Sequence, residues 1–137
     1  MNDRISACDY KKLLKTKRKP KYGNKRTLYN GRTYASEAEA LWASRLDLLQ
    51  KGGVILSWVP QCPRFPLTDA DNPPTYTADF LIFLQGDRAI VADCKGFDTP
   101  ESRLKRDIVK DRHGVTVHTV WGDVLAAIDP EPHRGHL

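Results

Sequence analysis

The stretch from Tyr76 to Lys95 constrains this chain more than any other. Two strongly apolar runs flank Gln85-Gly86-Asp87, and the glycine between them signals a β-hairpin. A turn centred on Gly86 sets Asp79 directly across from Asp93. Opposite residues of an antiparallel pair share a face, with Cβ atoms roughly 4.5–5.5 Å apart. Lys95 lies two residues beyond Asp93 and shares that face. Leu81, Phe83, Ala89 and Val91 continue it, while Phe80, Ile82, Leu84, Ile90 and Ala92 make the other. Strands apolar on both faces are normally central and covered. The expectation is a covered hairpin with two carboxylates and one ammonium at its open end.

Two carboxylates so placed repel and lose hydration, which drives one of them toward protonation. A divalent cation removes both costs. Mg²⁺ is a hard ion, usually held by one or two carboxylates, with water and substrate phosphate completing its shell. The plainer reading of the same residues is a strand-end salt bridge between Asp93 and Lys95, with Asp79 capping a turn. Cys94 points by alternation to the opposite, core face. No Ser, Tyr or Cys is placed for attack, which leaves water as the nucleophile.

With 137 residues, 40% apolar and 28% charged, the chain is expected to make one globular domain with a modest core. No apolar run approaches the ~20 residues of a membrane span, and no signal-type stretch follows the charged N-terminus, so a cytoplasmic protein without a membrane partner is expected. Cys8, Cys62 and Cys94 are odd in number and far apart. They read as reduced thiols and not as a disulfide frame or a zinc site. The net charge of +5 is unevenly placed: residues 11–26 hold nine Lys/Arg and no acid, against 13 basic and 17 acidic residues elsewhere. Lys11, Lys12, Lys15, Lys17, Arg18, Lys19, Lys21, Lys25 and Arg26 thus form a cationic arm. Such blocks often bind nucleic acid; the alternative is a merely solubilising tail.

Residues 1–27 read as this arm, with a short helix near Asp9–Lys15, residues 28–129 as the folded domain and 130–137 as a frayed tail. Tyr29-Asn30-Gly31-Arg32 closes a small hairpin. Ser36 opens a helix to about Lys51, ended by Gly52-Gly53. Val54–Trp58 and Arg64–Leu67 read as strands, followed by hairpin strands over 75–84 and 88–95. Thr99-Pro100 starts a second helix to about Arg112. Gly114 breaks it, Val115–Val120 is a strand and Trp121–Ile128 a short final helix. On the first helix the apolar stripe contains Ala38, Trp42, Leu46 and Leu49, and Glu39 borders it about 60° from Trp42 at 100° per residue. Ser36-Glu-Ala-Glu39 is also a capping box, so Glu39 is either an inward acid or a cap. Glu37 points away.

Asp79, thirteen residues and then Asp93-x-Lys95, preceded by a helix bearing Glu39, resembles the PD-(D/E)xK nuclease superfamily. More narrowly, five segments resemble a small phage-encoded family within it, whose members are regarded as endonucleases similar to Holliday junction resolvases. They are Lys21-Tyr-Gly-Asn-Lys-Arg, Tyr29-Asn-Gly-Arg-Thr-Tyr-Ala-Ser-Glu-Ala-Glu-Ala40, Gln61-Cys-Pro-Arg-Phe65, Tyr76-Thr-Ala-Asp-Phe80 and Asp93-Cys-Lys-Gly-Phe-Asp-Thr-Pro100. The resemblance runs from about Lys21 to about Thr119; Ala78 stands where the superfamily's name has proline, a change the superfamily tolerates. It implies a restriction-endonuclease-like α/β fold, an α-β-β-β-α-β core with a mixed central sheet flanked by helices. It also implies a Mg²⁺ site, with Mn²⁺ as a substitute. The site would comprise Asp79, Asp93 and the backbone carbonyl of Cys94, with Glu39 as the helix acid, directly or through water, and Lys95 as the catalytic lysine. The implied substrate is DNA, branched DNA above all, cut by a homodimer of phage or prophage origin in a bacterial host.

Other residues carry weaker signals. Lys105 flanks the Leu104/Ile108 stripe of the second helix and is the best phosphate ligand there, followed by Arg103 and Arg106. Gln61 either orients water or is a loop residue without a role. His113, His118, His133 and His136 show no ligand spacing tied to the acids. A non-catalytic DNA-binding protein on the same fold, a general or nicking nuclease, and a small-molecule phosphohydrolase are the competing readings.

Deleting residues 1–20, which removes Arg4, Lys11, Lys12, Lys15, Lys17, Arg18 and Lys19, should weaken DNA binding. For every phosphate that these cations neutralise, the deletion should reduce the slope of log K against log salt by about 0.9 on duplex DNA. An unchanged slope in a salt titration would make the arm a tail with no part in DNA binding.

Overall fold

Gly86 turns the central hairpin as its position in the sequence demands. In the computed structural model, which describes residues 25–95 and 97–128, Gly86 and Asp87 adopt φ of 76° and 57°. The hairpin closed by this turn pairs Phe80 with Ala92, Leu81 with Val91, Ile82 with Ile90, Phe83 with Ala89 and Leu84 with Arg88. That is the register expected from a turn centred on Gly86. The cationic arm up to Asn24, its short helix near Asp9–Lys15 and the tail from Pro130 lie outside the described residues.

The chain enters through a two-stranded hairpin, β1 (Thr27–Tyr29) and β2 (Arg32–Tyr34), around Asn30-Gly31. Both turn residues take positive φ, 50° and 80°, as this type of tight turn requires. Helix α1 (Glu37–Lys51) follows, capped by Ser36, whose hydroxyl accepts the Glu39 amide at 3.1 Å. Beyond Gly52 the amides of Val54 and Ile55 fold back onto the Leu49 carbonyl at 2.9 and 3.4 Å. That turn uses up the start of the strand expected at Val54, and β3 instead spans Ser57–Pro60.

Next come β4 (Arg64–Pro66) and β5 (Thr75–Thr77), which pair only with each other, then β6 (Phe80–Leu84) and β7 (Arg88–Ala92). The single strand expected over 75–84 is therefore two. The Ala78 amide still bonds the Pro63 carbonyl at 3.0 Å, whereas the Asp79 carbonyl accepts the Gln61 amide at 2.7 Å. The chain changes partners at Asp79. Helix α2 (Pro100–His113) is capped by Thr99 and ended by Gly114 in the left-handed conformation. Strand β8 is shorter than expected, only Val117–His118, because the Val120 carbonyl already accepts the Asp123 and Val124 amides that begin helix α3 (Trp121–Ile128).

The main sheet has the order β3-β6-β7-β8, with β7–β8 parallel and the other pairs antiparallel. It is a mixed sheet flanked by helices. On one face Phe80, Ile82, Leu84, Ile90 and Ala92 pack with Ala40, Ala43 and Leu46 of α1 and Val124 and Ile128 of α3. Trp42 stacks on Trp121 with centroids 3.7 Å apart, and Trp121 meets Phe80 edge-on. On the other face Val91, with Leu81 beside it, packs against Val109 of α2, Phe65, Tyr76 and Val117. This second face is covered only toward the aspartates: Phe83 is 37% exposed and Ala89 is exposed near the turn. Among the described residues the expectation of full cover fails, because α2 and the β4–β5 pair reach across that end alone. Among the described residues no helix is long and apolar enough to cross a membrane.

Helix α1 also sits rotated from the stripe expected of its apolar residues. Ala38 is exposed, and Glu39, Ala40, Ala43 and Leu46 are the buried positions. Two alanines on one face permit a closer approach to the sheet than Ala38 with Trp42 would, and the rotation carries Glu39 into the interface. Ala43→Leu should accordingly overfill the core and destabilise by about 1–3 kcal/mol. Ala38→Leu should stay within about 0.5 kcal/mol. Urea denaturation of the two variants checks the helix orientation, and the reverse ranking would contradict it.

Candidate active site

Asp79 and Asp93 face each other one step beyond the last hairpin pair, where the ladder gives way to side chains. The Asp79 amide donates to Asp93 Oδ1 at 2.9 Å, and the Cys94 amide donates to Asp79 Oδ2 at 2.8 Å. Each carboxylate thus takes the place that a strand carbonyl would otherwise fill. The Asp93 amide bonds the His118 carbonyl at 2.8 Å, tying the site to β8. Asp93 is only 2% exposed. Lys95 Nζ lies 3.7 Å from Asp93 Oδ2, so the strand-end ion pair exists, at long range and alongside the braced acids.

Burial raises the pKa of both aspartates, opposed by these backbone hydrogen bonds and by Lys95. Mutual repulsion of Asp79 and Asp93 is not among the main causes, which corrects the expectation drawn from their pairing: each is held by the other strand's amide. The repulsion falls on Glu39 instead. Burial and then the Asp79 charge push its pKa from the usual 4.5 to about 7, with Asp93 adding to the rise. The Ala35 amide and Lys95 act in the opposite direction. Glu39 is 9% exposed, and its Oε2 is buried without a hydrogen-bond partner. Only half of the expected capping box forms: Ser36 Oγ accepts the Glu39 amide, while the Glu39 carboxylate, instead of bonding back to the Ser36 amide, turns inward and is coupled to the strand acids.

Cys94 packs its side chain with the α1–α3 core, as alternation requires, and burial followed by the Asp79 charge pushes its thiol up to about 11. Such a thiol is a poor nucleophile. Gln61, in the left-handed region at φ 52°, has a role the sequence left open, because its amide donates to the Asp79 carbonyl at 2.7 Å and its side chain helps to lower the Asp79 pKa. Arg106 makes a bidentate pair with Asp98 (2.9 and 2.5 Å) and also lowers the Asp93 pKa. It braces the segment after Lys95, and only its position in the second helix hinted at it. Arg103 reaches the same Asp98 at 4.0 Å, and Lys105 pairs with Glu101 at 3.2 Å, so the second-helix cations have acids of their own. Lys25 and Arg26, the described end of the arm, are exposed. Lys11, Lys12, Lys15, Lys17, Arg18, Lys19 and Lys21 lie outside the described residues.

Among the described residues no three His, Cys, Asp or Glu side chains are gathered tightly enough to form a metal cage by themselves. The donors that converge here are carboxylate oxygens, one of them buried and unpartnered. That set suits a hard cation taking one or two carboxylates and completing its shell from elsewhere.

A family model described as "Protein of unknown function (DUF1064)" matches residues 19–123, a span that includes Glu39, Gln61, Asp79, Asp93 and Lys95. No curated protein and no solved structure matches the chain.

The raised acids make a signed prediction for the metal-free protein. A carboxyl whose pKa is higher folded than unfolded stabilises the fold at low pH, and that stability is lost as pH rises through the folded value. Stability in EDTA should therefore fall between about pH 4.5 and about 7 through Glu39, by at most about 3 kcal/mol, with Asp79 and Asp93 acting in the same sense. Glu39→Gln should flatten the fall. Urea titrations at pH 5 and pH 8 check it, and an equally steep fall in the variant would contradict it.

Proposed function

The chain belongs to the DUF1064 family, whose function is unknown, and we propose that it is a Mg²⁺-dependent endonuclease hydrolysing DNA phosphodiesters. The observation that carries this reading is the pair of reciprocally braced aspartates with Lys95 beside them and the unpartnered Glu39 oxygen coupled to both. Such a cluster destabilises the fold unless a cation or a substrate uses it. A restriction-endonuclease-like core fits the same elements: α1 brings one acid, the β6–β7 hairpin brings two acids and a lysine, and α2 and β8 complete the sheet and its cover.

Asp79, Asp93 and the Cys94 carbonyl would hold Mg²⁺, with Glu39 directly or through water, and Mn²⁺ would fit the same donors. When bound, the ion would supply Lewis-acid polarisation of the phosphodiester and lower the pKa of water. The chain's own residues do the rest. The two backbone amides fix the carboxylates so that they need not reorganise when charge develops. Gln61 holds Asp79 from the side of the β3–β4 bend through its amide on the Asp79 carbonyl. Lys95, 27% exposed, presents its ammonium to the attacking water or to a phosphate oxygen. Without the ion, burial and the Asp79 charge hold the Glu39 carboxyl near neutrality, and a bound cation would draw it toward the charged form that can hold the ion or its water. The product would carry a 5′-phosphate.

Branched DNA is the proposed substrate. The described fold has little beyond the sheet and its helices to reach base edges in a groove, so the path of the phosphates is its natural target. The cationic segment 11–26 would follow diverging strands, and a two-fold dimer would place one site on each of two opposed strands of a four-way junction. A non-catalytic DNA-binding protein is the less favoured reading, since it would carry the buried acids without benefit.

Four-way junctions, flaps and linear duplexes incubated with the protein and Mg²⁺ test the reading. Asp79→Asn, Asp93→Asn and Lys95→Ala should each reduce cleavage by at least about a hundredfold while DNA affinity in Ca²⁺ stays within severalfold. Mg²⁺ should also raise the melting temperature of the wild type and not of Asp93→Asn. Full cleavage by Asp93→Asn would sink the site assignment. Equal rates on all three DNAs would remove the branch preference and leave the endonuclease.

A further inference from the structure

Beside the carboxylates, the β1–β2 hairpin and the bend at Gln61 enclose a cleft of about 260 Å³ lined by Arg26, Arg32, Thr33, Tyr34, Ala35 and Gln61. Two of its wall residues belong to the acid site as well: the Gln61 amide donates to the Asp79 carbonyl at 2.7 Å, and the Ala35 backbone lowers the Glu39 pKa. The cleft and the acids are thus neighbouring compartments with a shared wall.

The charge on the cleft is of the opposite sign. Six of the described arginines have partners. Arg45 lies over the Trp42 ring, Arg64 bonds Thr75, Arg88 bonds the Ala127 carbonyl, Arg103 and Arg106 pair with Asp98, and Arg112 pairs with Asp69. Among the described residues Arg26 and Arg32, both exposed, are the two arginines without a hydrogen bond, an ion pair or a ring contact, although the Arg32 charge acts on Tyr34; both line this cleft. Arg32 and Tyr34 share a face of β2, and the Tyr34 side chain is buried at 4% exposure. Two arginines without an acid partner on the wall of one small concavity suit a planar fork-to-oxyanion pairing, the geometry in which arginine binds phosphate. A duplex segment would not fit the volume; a single phosphodiester with its sugar would.

We propose that this cleft binds a backbone phosphate of the substrate strand adjacent to the phosphate presented to the carboxylates, with Arg26 and Arg32 as its ligands. Gln61, which borders both compartments, is a positioning residue that couples occupancy of the cleft to the orientation of Asp79. The proposal deepens the endonuclease reading and rests on it for the identity of the ligand. It also gives the hairpin, and not only the segment before it, a part in choosing which bond lies at the acids.

The experiment scans single neutral methylphosphonates along the cleaved strand of a junction. Binding is measured in Ca²⁺ and cleavage in Mg²⁺, for wild type, Arg26→Ala, Arg32→Ala and Arg32→Lys. One methylphosphonate close to the cut should weaken wild-type binding by about tenfold, as removal of a charge-assisted hydrogen bond does, and should cost Arg32→Ala nothing further. Arg32→Lys should fall between them. Since both arginines are exposed, circular dichroism and melting should be unchanged in the variants, which separates a missing phosphate ligand from a damaged fold. Wild-type affinity and KM in Arg26→Ala and Arg32→Ala, with cleavage intact, would overturn the cleft and leave the endonuclease standing. A methylphosphonate effect that depends on Arg32, in a protein that cuts no DNA, would support the phosphate site while removing the endonuclease reading.

Discussion

Everything at the open end of the central hairpin depends on two hydrogen bonds from peptide amides to carboxylates. The Asp79 amide is satisfied by Asp93, and the Cys94 amide by Asp79. Either aspartate therefore serves as an acceptor for a half-buried donor as well as a charge. Removing one leaves a buried amide unpaired, which costs more than the bond itself contributes. An asparagine keeps an acceptor at the same place, so it isolates the charge from the scaffold in a way that alanine cannot. The brace also bears on the electrostatics: the opposite strand's amide opposes the burial that raises each aspartate's pKa, and the charges of both aspartates raise that of the helix acid.

Glu39 is where that cost collects. It occupies a buried position on α1, and its Oε2 finds no donor among the described residues. A buried oxygen without a partner lowers stability. The fold supports it through the packing around it. Ala40 and Ala43 bring the helix close to the sheet, and Trp42, three residues on from Glu39, stacks on Trp121 above Phe80. Asp47 extends the anchorage by accepting hydrogen bonds from Tyr29 and from Trp58 Nε1, the latter at 2.9 Å, which ties the first hairpin and β3 to the same helix. The helix is held at both ends of the face that carries the acid.

The two faces of the sheet are used differently. The face toward α1 and α3 is a continuous apolar core, whereas the described residues cover the face toward α2 only near the aspartates. Cover there excludes water from the carboxylates and raises their pKa values; the open part near Gly86 has no such role. The Arg106–Asp98 pair fastens the segment after Lys95 to α2, so the lysine is anchored on both sides, by the strand before it and by this pair after it.

Local chemistry was enough to determine the caps at Ser36 and Thr99, the stops at Gly52 and Gly114, the two hairpins and the register that opposes Asp79 to Asp93. Each depends on residues within a few positions of one another, and a period of two leaves no freedom once Gly86 marks the turn. The sequence also placed Glu39 near the core side of its helix and Cys94 on the far face. It could not show that 75–84 breaks at Asp79, because the break comes from a change of partner, from β4 to β3 and β7, that no single strand encodes. Nor could the apolar stripe orient α1, since small residues admit the sheet more closely than large ones attract it. Gln61 against Asp79, Arg106 behind Asp93, and Gln61 across one cleft from Arg26 and Arg32 are juxtapositions of residues far apart in the chain. They exist only once the strands and helices have packed, because such side chains meet through tertiary structure alone.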